Sequence, residues 1–416
     1  MLQLNDPLYF ASISHYAGFG NTWNDIYNQS GDGGKFVIEL SKRINPLRYI
    51  ARDGEWSLPW NQELIPGFEM PVYDPNFSKS FTQVADEQAQ VIKQRIHNGE
   101  KFAVMYSGGI DSTVIVVAML KNLTDEELKS IVICTSGEAL VEHPTFWEKY
   151  IQGKLQILDS NTHKYDDLID KGLVPITADE GDCIFGTTFG LGLYSNYDYY
   201  ISDLSEPVRT NLKNIKHKIS SPDVHYSAYK DLLIKYLGAG RDPGFGKLLY
   251  EKYDRNIKTA SVPVYSLHDF FWWAIFNVKY LNCAVRGALY FNDRIDWRTA
   301  MTTIVNWYSY PDFQRWSMTN NNNGQKIQST VASYKTAAKD YIWEFDRNDW
   351  YRNFKIKLES LWAVVVQQDV SNIDASRMPA QRLALTKDYQ MLYLDDPGVK
   401  DYFTHHITNY KIDWTA

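Results

Sequence analysis

Short apolar runs alternate with amphipathic stretches between residues 101 and 190, and this alternation is the clearest pattern in the chain. The apolar runs predict buried strands at 101–106, 130–135, 155–158 and 174–177. The stretches between them have helical spacing, at 112–123, 144–151 and 165–171. Strands that alternate with helices imply an α/β fold, a parallel sheet with helices on both faces.

The pattern changes on either side of this alternation. Residues 1–95 contain a proline-rich stretch, which indicates an extended connection, and a polar helix is predicted at 81–98. Beyond residue 190 the periodicity is helical, with predicted helices at 227–237, 245–259, 267–291, 331–345 and 350–366. We therefore expect an N-terminal region of unassigned role at 1–95, an α/β core at 96–195 and a mainly helical region at 196–416.

Composition narrows the class of protein only moderately. The chain has 416 residues, 44% of them hydrophobic and 22% charged, as in soluble globular proteins. A net charge of −7 argues against strong non-specific nucleic-acid binding, although it does not exclude a local basic groove. Three widely spaced cysteines favour neither structural zinc nor a disulfide framework. With no signal peptide or membrane span in the sequence pattern, we expect a cytoplasmic protein.

Polar or acidic residues follow each of the predicted strands. These strand exits are 107–109, 136–138, 159–161 and 179–182. Ligands of parallel sheets bind at the carboxyl ends of the strands, so this arrangement would suit a nucleotide and a metal ion. Loops are polar in most proteins, however, and the pattern alone does not identify a site.

The first of these exits has the sequence Ser-Gly-Gly-Ile-Asp-Ser at residues 107–112. Its glycines allow backbone amides to approach an anion, and the following helix adds the positive end of its dipole. Ser107 and Ser112 can donate hydrogen bonds to phosphate oxygens. Asp111 would repel phosphate unless a cation such as Mg²⁺ lay between them. The chain has no Gly-x-x-x-x-Gly-Lys-[Ser/Thr] loop, which argues against ordinary γ-phosphate transfer.

Residues 104–112 resemble the PP-loop of the N-type ATP pyrophosphatases, whose usual form is Ser-Gly-Gly-x-Asp-Ser. This family includes asparagine, GMP, NAD and argininosuccinate synthetases and tRNA thiolation enzymes. The resemblance implies a Rossmann-like sheet of the adenine nucleotide alpha hydrolase-like type, with ATP and Mg²⁺ as cofactors. It also implies release of AMP and pyrophosphate. The residues that would bind the nucleotide are Ser107, Gly108, Gly109, Ile110, Asp111, Ser112, Thr135 and Ser136.

A second segment, Asp-Glu-Gly-Asp-Cys-Ile-Phe-Gly at 179–186, resembles the acidic segment of the asparagine synthetase family. One residue is missing before Asp182, and Cys183 replaces the second acid of the family pattern. By this resemblance Asp182 would bind Mg²⁺ and pyrophosphate opposite Asp111, and Glu180 would take a proton from an attacking amine. The alternative is an ordinary helix start that Asp179 or Asp182 caps, with Phe185 in the core.

A cation is expected to neutralise phosphate charge in such an enzyme. The stretch 334–341 loosely resembles a lysine-containing region of the asparagine synthetases, in which Lys335 and Lys339 would lie on one helical face. The alternative is a solvated helix face. Arg286 and Arg315 are weaker candidates.

The resemblance does not extend to the glutaminase of asparagine synthetase. Residue 2 is Leu, and residues 1–95 contain no cysteine, so the nitrogen would come from ammonia, another amine or a partner protein. We predict an ATP-dependent carbon–nitrogen ligase that adenylates a carboxylate or carbonyl oxygen of a small molecule. The alternatives are a PP-loop sulfurtransferase or nucleobase-modifying enzyme that uses Cys183, and an ATP-binding module without catalysis.

Overall fold

The computed structural model describes residues 52, 69–135, 139, 142–160, 162–186, 193, 197–219, 221–238, 243–280, 283, 302–320 and 335–355. Several positions singled out by the sequence lie outside these ranges, among them Ser136, Arg286 and nearly all of residues 1–68. The C-terminal parts of the helices predicted at 267–291 and 350–366 lie outside them as well.

Five strands of the described residues form one sheet, in the order β3-β2-β1-β4-β5. They are β1 Lys101–Tyr106, β2 Ile131–Thr135, β3 Gln156–Asp159, β4 Leu173–Thr177 and β5 Val305–Asn306. β1 pairs in parallel with β2 and with β4, and β2 pairs in parallel with β3. The parallel α/β core predicted from the sequence is confirmed, with β1 to β4 within one residue of their expected ends. β5 was not predicted, because two residues show no periodicity.

Most of the remaining described residues are helical, as the sequence periodicity predicts. In the first half of the chain the helices are α1 Phe81–His97, α2 Ile110–Asn122, α3 Asp125–Leu128, α4 Pro144–Phe146, α5 Tyr165–Asp170 and α6 Gly181–Phe185. They continue as α7 Tyr197–Ile201, α8 Glu206–Ile215, α9 Lys230–Leu237, α10 Pro243–Lys258, α11 Leu267–Trp273, α12 Pro311–Thr319, α13 Thr336–Asp346 and α14 Asp349–Phe354. Segments of π-helix follow α4 at Trp147–Ile151 and α11 at Ala274–Lys279. Among the described helices, none has the length and apolar character that crossing a membrane requires.

The strand register aligns the carboxyl ends of the central strands. Tyr106 at the end of β1 pairs with Thr135 at the end of β2, and Val104 pairs with Ile176 of β4. Every residue of β2 is buried, as expected for an inner strand covered on both sides. The loops that follow β1 and β2 therefore leave the same edge of the sheet.

The described residues divide into two compact units. The sheet unit comprises the described parts of 85–178, together with 303–305 and 338–355. The helical unit comprises the described parts of 52–84, 179–302 and 306–337. Each unit is assembled from segments that are distant in the sequence.

Candidate functional site

The loop after β1 carries a glycine whose place no other residue can take without strain. Gly108 has a φ of 72°, in the left-handed region that side chains disfavour. A Cβ on Gly108 would lie 1.9 Å from the carbonyl oxygen of Ala139 and 2.7 Å from the Cβ of Glu142. The loop backbone is thus pressed against the chain that follows β2, within the sheet unit.

Two serine hydroxyls lie side by side in this loop. The Oγ atoms of Ser107 and Ser112 are 3.1 Å apart, and the Ser107 amide donates to Ser112 Oγ over 3.2 Å. The Gly109 amide donates to Ser107 Oγ over 3.3 Å. Thr113 Oγ1 donates to the Gly109 carbonyl over 2.8 Å. The hydroxyls are therefore held together next to the first turn of α2.

The amino end of α2 has no side-chain cap in the described structure. Its N-cap residue is Gly109, with φ −72° and ψ 169°, and no side chain of this residue can accept from the first-turn amides. A 13-residue helix places partial positive charge at this end. Asp111 lies in the first turn and is partly buried, so the helix end that favours an anion also carries a carboxylate. The combination suits an anion accompanied by a cation.

The described residues contain no cluster of three or more His, Cys, Asp or Glu groups able to hold a metal ion. An ion at Asp111 would therefore need further oxygen ligands from phosphate and water. Mg²⁺ is commonly bound in this way, through one or two carboxylates plus phosphate oxygens. The donor chemistry at Asp111 fits Mg²⁺ bound together with a nucleotide.

The side chain of Thr135, at the end of β2, forms a hydrogen bond within the sheet. Its Oγ1 is buried and donates to the Tyr106 carbonyl over 2.8 Å, which ties the ends of β2 and β1 together. The hydroxyl of Thr135 is thus occupied within the sheet. If an adenine bound at this strand end, backbone groups would form the hydrogen bonds that recognise it.

In the helical unit, α6 carries the acidic segment. Glu180 occupies the N-cap position without a side-chain capping bond, so the alternative in which Asp179 or Asp182 caps the helix is wrong, although Phe185 is buried as that alternative expects. Glu180 is 0% exposed and Asp182 is 8% exposed. The Oδ1 atom of Asp182 accepts a hydrogen bond from Lys335 Nζ over 2.8 Å. Two residues that the sequence singled out for the same chemistry, Asp182 and Lys335, therefore form a buried ion pair.

The two lysines of the 334–341 stretch are arranged differently from the prediction. The helix α13 begins only at Thr336, and Lys335 has a φ of 53°, so Lys335 and Lys339 do not share a helical face. Both lysines are buried, which makes the solvated-face alternative wrong as well. Lys335 belongs to the helical unit and Lys339 to the sheet unit.

Aromatic packing fixes α6 within the helical unit. Phe185 packs against Phe81 and Trp316, with ring centroids 5.4 Å away in both cases. The Ile184 carbonyl accepts from Ser317 Oγ over 2.6 Å, and Ser317 in turn accepts from the Trp272 indole over 2.9 Å. These contacts fix the helix that carries Asp182.

Sequence reasoning missed a buried arginine near α6. Arg52 donates to the Glu69 carbonyl over 2.9 Å and to the side chain of Gln314, and its guanidinium lies 3.9 Å from the centroid of the Tyr280 ring. Burial lowers the pKa of Arg52 to about 10, an effect opposed first by Tyr280 and then by Cys183. Arg52 is a single residue in a stretch without periodicity, so no sequence signal marks it. Arg315, by contrast, pairs with Asp312 over 2.6 Å at a partly exposed position.

The cysteines are poorly placed for sulfur chemistry. Cys134, Cys183 and Cys283 are all buried. Burial is also the main cause that raises the pKa of Cys134 to about 12. Reactive cysteines need an accessible thiolate, and burial in apolar surroundings opposes it.

The chain was compared with models of protein families, with curated proteins and with solved structures. None of the three comparisons found a match.

Proposed function

We propose that the protein is a PP-loop ATP pyrophosphatase, in which residues 107–112 bind the phosphates of ATP and the reaction releases AMP and pyrophosphate. The observation that supports it most is the loop itself: Gly108 in a left-handed conformation leads into an uncapped helix start flanked by two serine hydroxyls. Backbone amides, hydroxyls and a helix dipole together favour a polyphosphate.

Asp111 makes this loop different from a simple anion site. Its carboxylate needs a cation beside the phosphates, and Asp111 would hold a Mg²⁺ ion that supplies this positive charge. The ion would offset the charge that develops on the departing pyrophosphate. Participation of Asp182 in holding the same ion stays a prediction from the resemblance, and Mg²⁺ at Asp182 would compete with the Lys335 ammonium for the carboxylate.

The sheet order supports the nucleotide-binding version of the Rossmann-like class. From β1 the chain proceeds outward through β2 to β3, and then returns to β4 on the other side of β1. Such a reversal is the point at which ligands bind in open parallel sheets. The phosphate loop follows directly on β1, so we propose the adenine nucleotide alpha hydrolase-like arrangement for the sheet unit.

The acceptor chemistry is proposed by analogy with asparagine synthetase. An oxygen of a carboxylate or carbonyl substrate would attack the α-phosphorus of ATP, and the bond to the β-phosphate would break to release pyrophosphate. An amine would then attack the activated carbon, AMP would leave, and a base would take the amine proton. Glu180 can act as that base only if its surroundings open, because it is fully buried. The buried Lys335 and Lys339 are the ammonium groups proposed to offset phosphate charge.

The proposal is tested by incubating the full chain with ATP, Mg²⁺ and a pool of small metabolites, and identifying the products by mass. We expect AMP and pyrophosphate in equal amounts, and their loss in Asp111→Asn. Asp125→Asn is the matched control, because Asp125 also lies in the first turn of a helix but is exposed. ADP and phosphate as the only products, unchanged in Asp111→Asn, would refute the proposal.

The alternatives give different results in the same experiment. A module without catalysis would bind ATP and release no pyrophosphate. A sulfurtransferase would lose activity in Cys183→Ser, but burial of Cys183 gives that alternative less support.

A further inference from the structure

The phosphate loop is supported by the chain that follows β2. Gly108 approaches the Ala139 carbonyl and the Glu142 side chain so closely that a Cβ could not be inserted. Ala139 and Glu142 therefore form a wall behind the loop. The position of that wall determines where the loop backbone can lie.

Glu142 is held by a lysine that lies 213 positions further along the chain. Its Oε2 atom is bonded to Lys355 Nζ, and the two side chains are only 10% and 3% exposed. Lys355 is the C-cap residue of α14, and its amide donates to the Tyr351 carbonyl over 3.1 Å. The backbone that carries this ammonium is thus hydrogen-bonded to the end of α14.

The neighbouring contact, between His143 and Tyr351, contributes stacking but no charge. The two rings stack with centroids 3.7 Å apart and planes 15° from parallel. Burial, and after it the nearby Lys355 charge, holds the pKa of His143 well below its usual range. The Oδ2 atom of Asp346 is 3.5 Å from His143 Nε2, and burial raises the pKa of Asp346. A neutral imidazole at that distance makes no ion pair. Glu142 and Lys355 therefore supply the charged tie between α14 and the wall.

The Glu142–Lys355 ion pair is expected to contribute little to the stability of the fold. The desolvation of two buried charges often cancels their attraction, so an apolar pair of the same size would stabilise the fold equally well. An ion pair differs from an apolar contact in being directional, and it sets the position of the groups that it joins. This distinction matters at Glu142, because its Cβ is one of the atoms against Gly108.

We propose that the Glu142–Lys355 ion pair is a positioning element of the phosphate loop, which keeps Glu142 against Gly108 and so fixes the loop conformation that binds phosphate. The inference rests on the proposed function of residues 107–112 for its catalytic consequence. The positioning itself is independent of ATP. Neither residue is proposed to touch the nucleotide.

The test compares Lys355→Met, Lys355→Arg, and the double variant Glu142→Gln/Lys355→Met in the full chain. Hydrogen exchange of the peptide covering residues 107–112 reports loop order without nucleotide. KM for ATP and kcat of pyrophosphate release report the effect of loop order on ATP binding and turnover. The thermal midpoint reports the stability of the fold. Lys129→Met is the control, because Lys129 forms an exposed ion pair with Glu126 in the same unit.

In Lys355→Met we expect exchange of the loop amides to rise roughly tenfold and KM to rise more than kcat falls. The double variant should recover the thermal midpoint, since no buried charge is left without its partner, but not the loop protection or KM. Lys355→Arg should resemble the wild type. Wild-type loop exchange in the double variant would overturn the proposal. If no variant or wild-type protein splits ATP while the exchange result holds, the positioning stands and the proposed function fails.

Discussion

The sharpest test of the loop structure is the substitution Gly108→Ala. A residue with a side chain at φ 72° costs about 1–2 kcal/mol relative to glycine. The new Cβ would also lie 1.9 Å from the Ala139 oxygen, whereas real Cβ contacts essentially never fall below 3.0 Å, so the loop and its wall must separate by more than an ångström. Overpacking of this kind costs about 1–3 kcal/mol. We therefore expect the free energy of unfolding to fall by roughly 2–5 kcal/mol.

Gly172→Ala provides the matched control. Gly172 also lies in the sheet unit and has a φ of 75°, but a Cβ there would meet nothing within 4 Å. Its replacement should cost only the backbone part, about 1–2 kcal/mol. The difference between the two variants isolates the contact between the loop and its wall from the strain of a left-handed residue.

Urea unfolding followed by tryptophan fluorescence measures both variants under the same conditions. Binding of Mg²⁺–ATP, measured by calorimetry, should weaken in Gly108→Ala and stay unchanged in Gly172→Ala. If Gly108→Ala is no less stable than Gly172→Ala, Gly108 does not pack against Ala139 and Glu142. Neither the close contact of the loop with Ala139 nor the positioning role of Glu142 would then stand.

Two further predictions concern buried charges. Lys335→Met should lower the free energy of unfolding by about 3–5 kcal/mol, because it leaves the Asp182 carboxylate without this ammonium. The double variant Asp182→Asn/Lys335→Met should lose less stability, because it removes both charges. A urea midpoint equal to that of the wild type in Lys335→Met would contradict the ion pair. The folded pKa of His143 lies below its usual 6.5, so its contribution to stability is fully present above that pH and is lost as the pH falls further, by up to about 1.4 kcal/mol per unit. His143→Phe, which keeps the stack on Tyr351, should therefore show a shallower loss of stability between pH 7 and pH 5, and equal slopes would count against a buried neutral histidine.

The sequence predicted the sheet core well because local patterns determine it. β2 is a continuous apolar run that is buried throughout, and the glycine turn after Tyr106 marks both the end of β1 and the start of α2. The loop 107–112 was likewise predicted in its strand–turn–helix setting, since its residues are consecutive. Features of this kind need no knowledge of distant residues.

Other parts of the candidate site depend on contacts that sequence spacing cannot show. Lys335 was predicted as helical because a regular pattern surrounds it, but its backbone is left-handed and its ammonium binds Asp182. Glu142 and Lys355 are 213 positions apart, and no local pattern joins them. Such residues become recognisable only when tertiary packing brings them together.

The assembly of the sheet unit from distant segments has a consequence for synthesis of the chain. Tyr341 donates to Asp86 over 2.6 Å and Asn348 donates to Thr145 over 3.2 Å, so the unit is completed by residues far downstream. Residue 338 is translated 160 residues after Ala178. At 5–20 residues per second, roughly 8–32 s pass between synthesis of Ala178 and synthesis of the segment that begins at residue 338. During that interval the helix surfaces that α13 and α14 contact are uncovered, so they are open to aggregation and to chaperone binding.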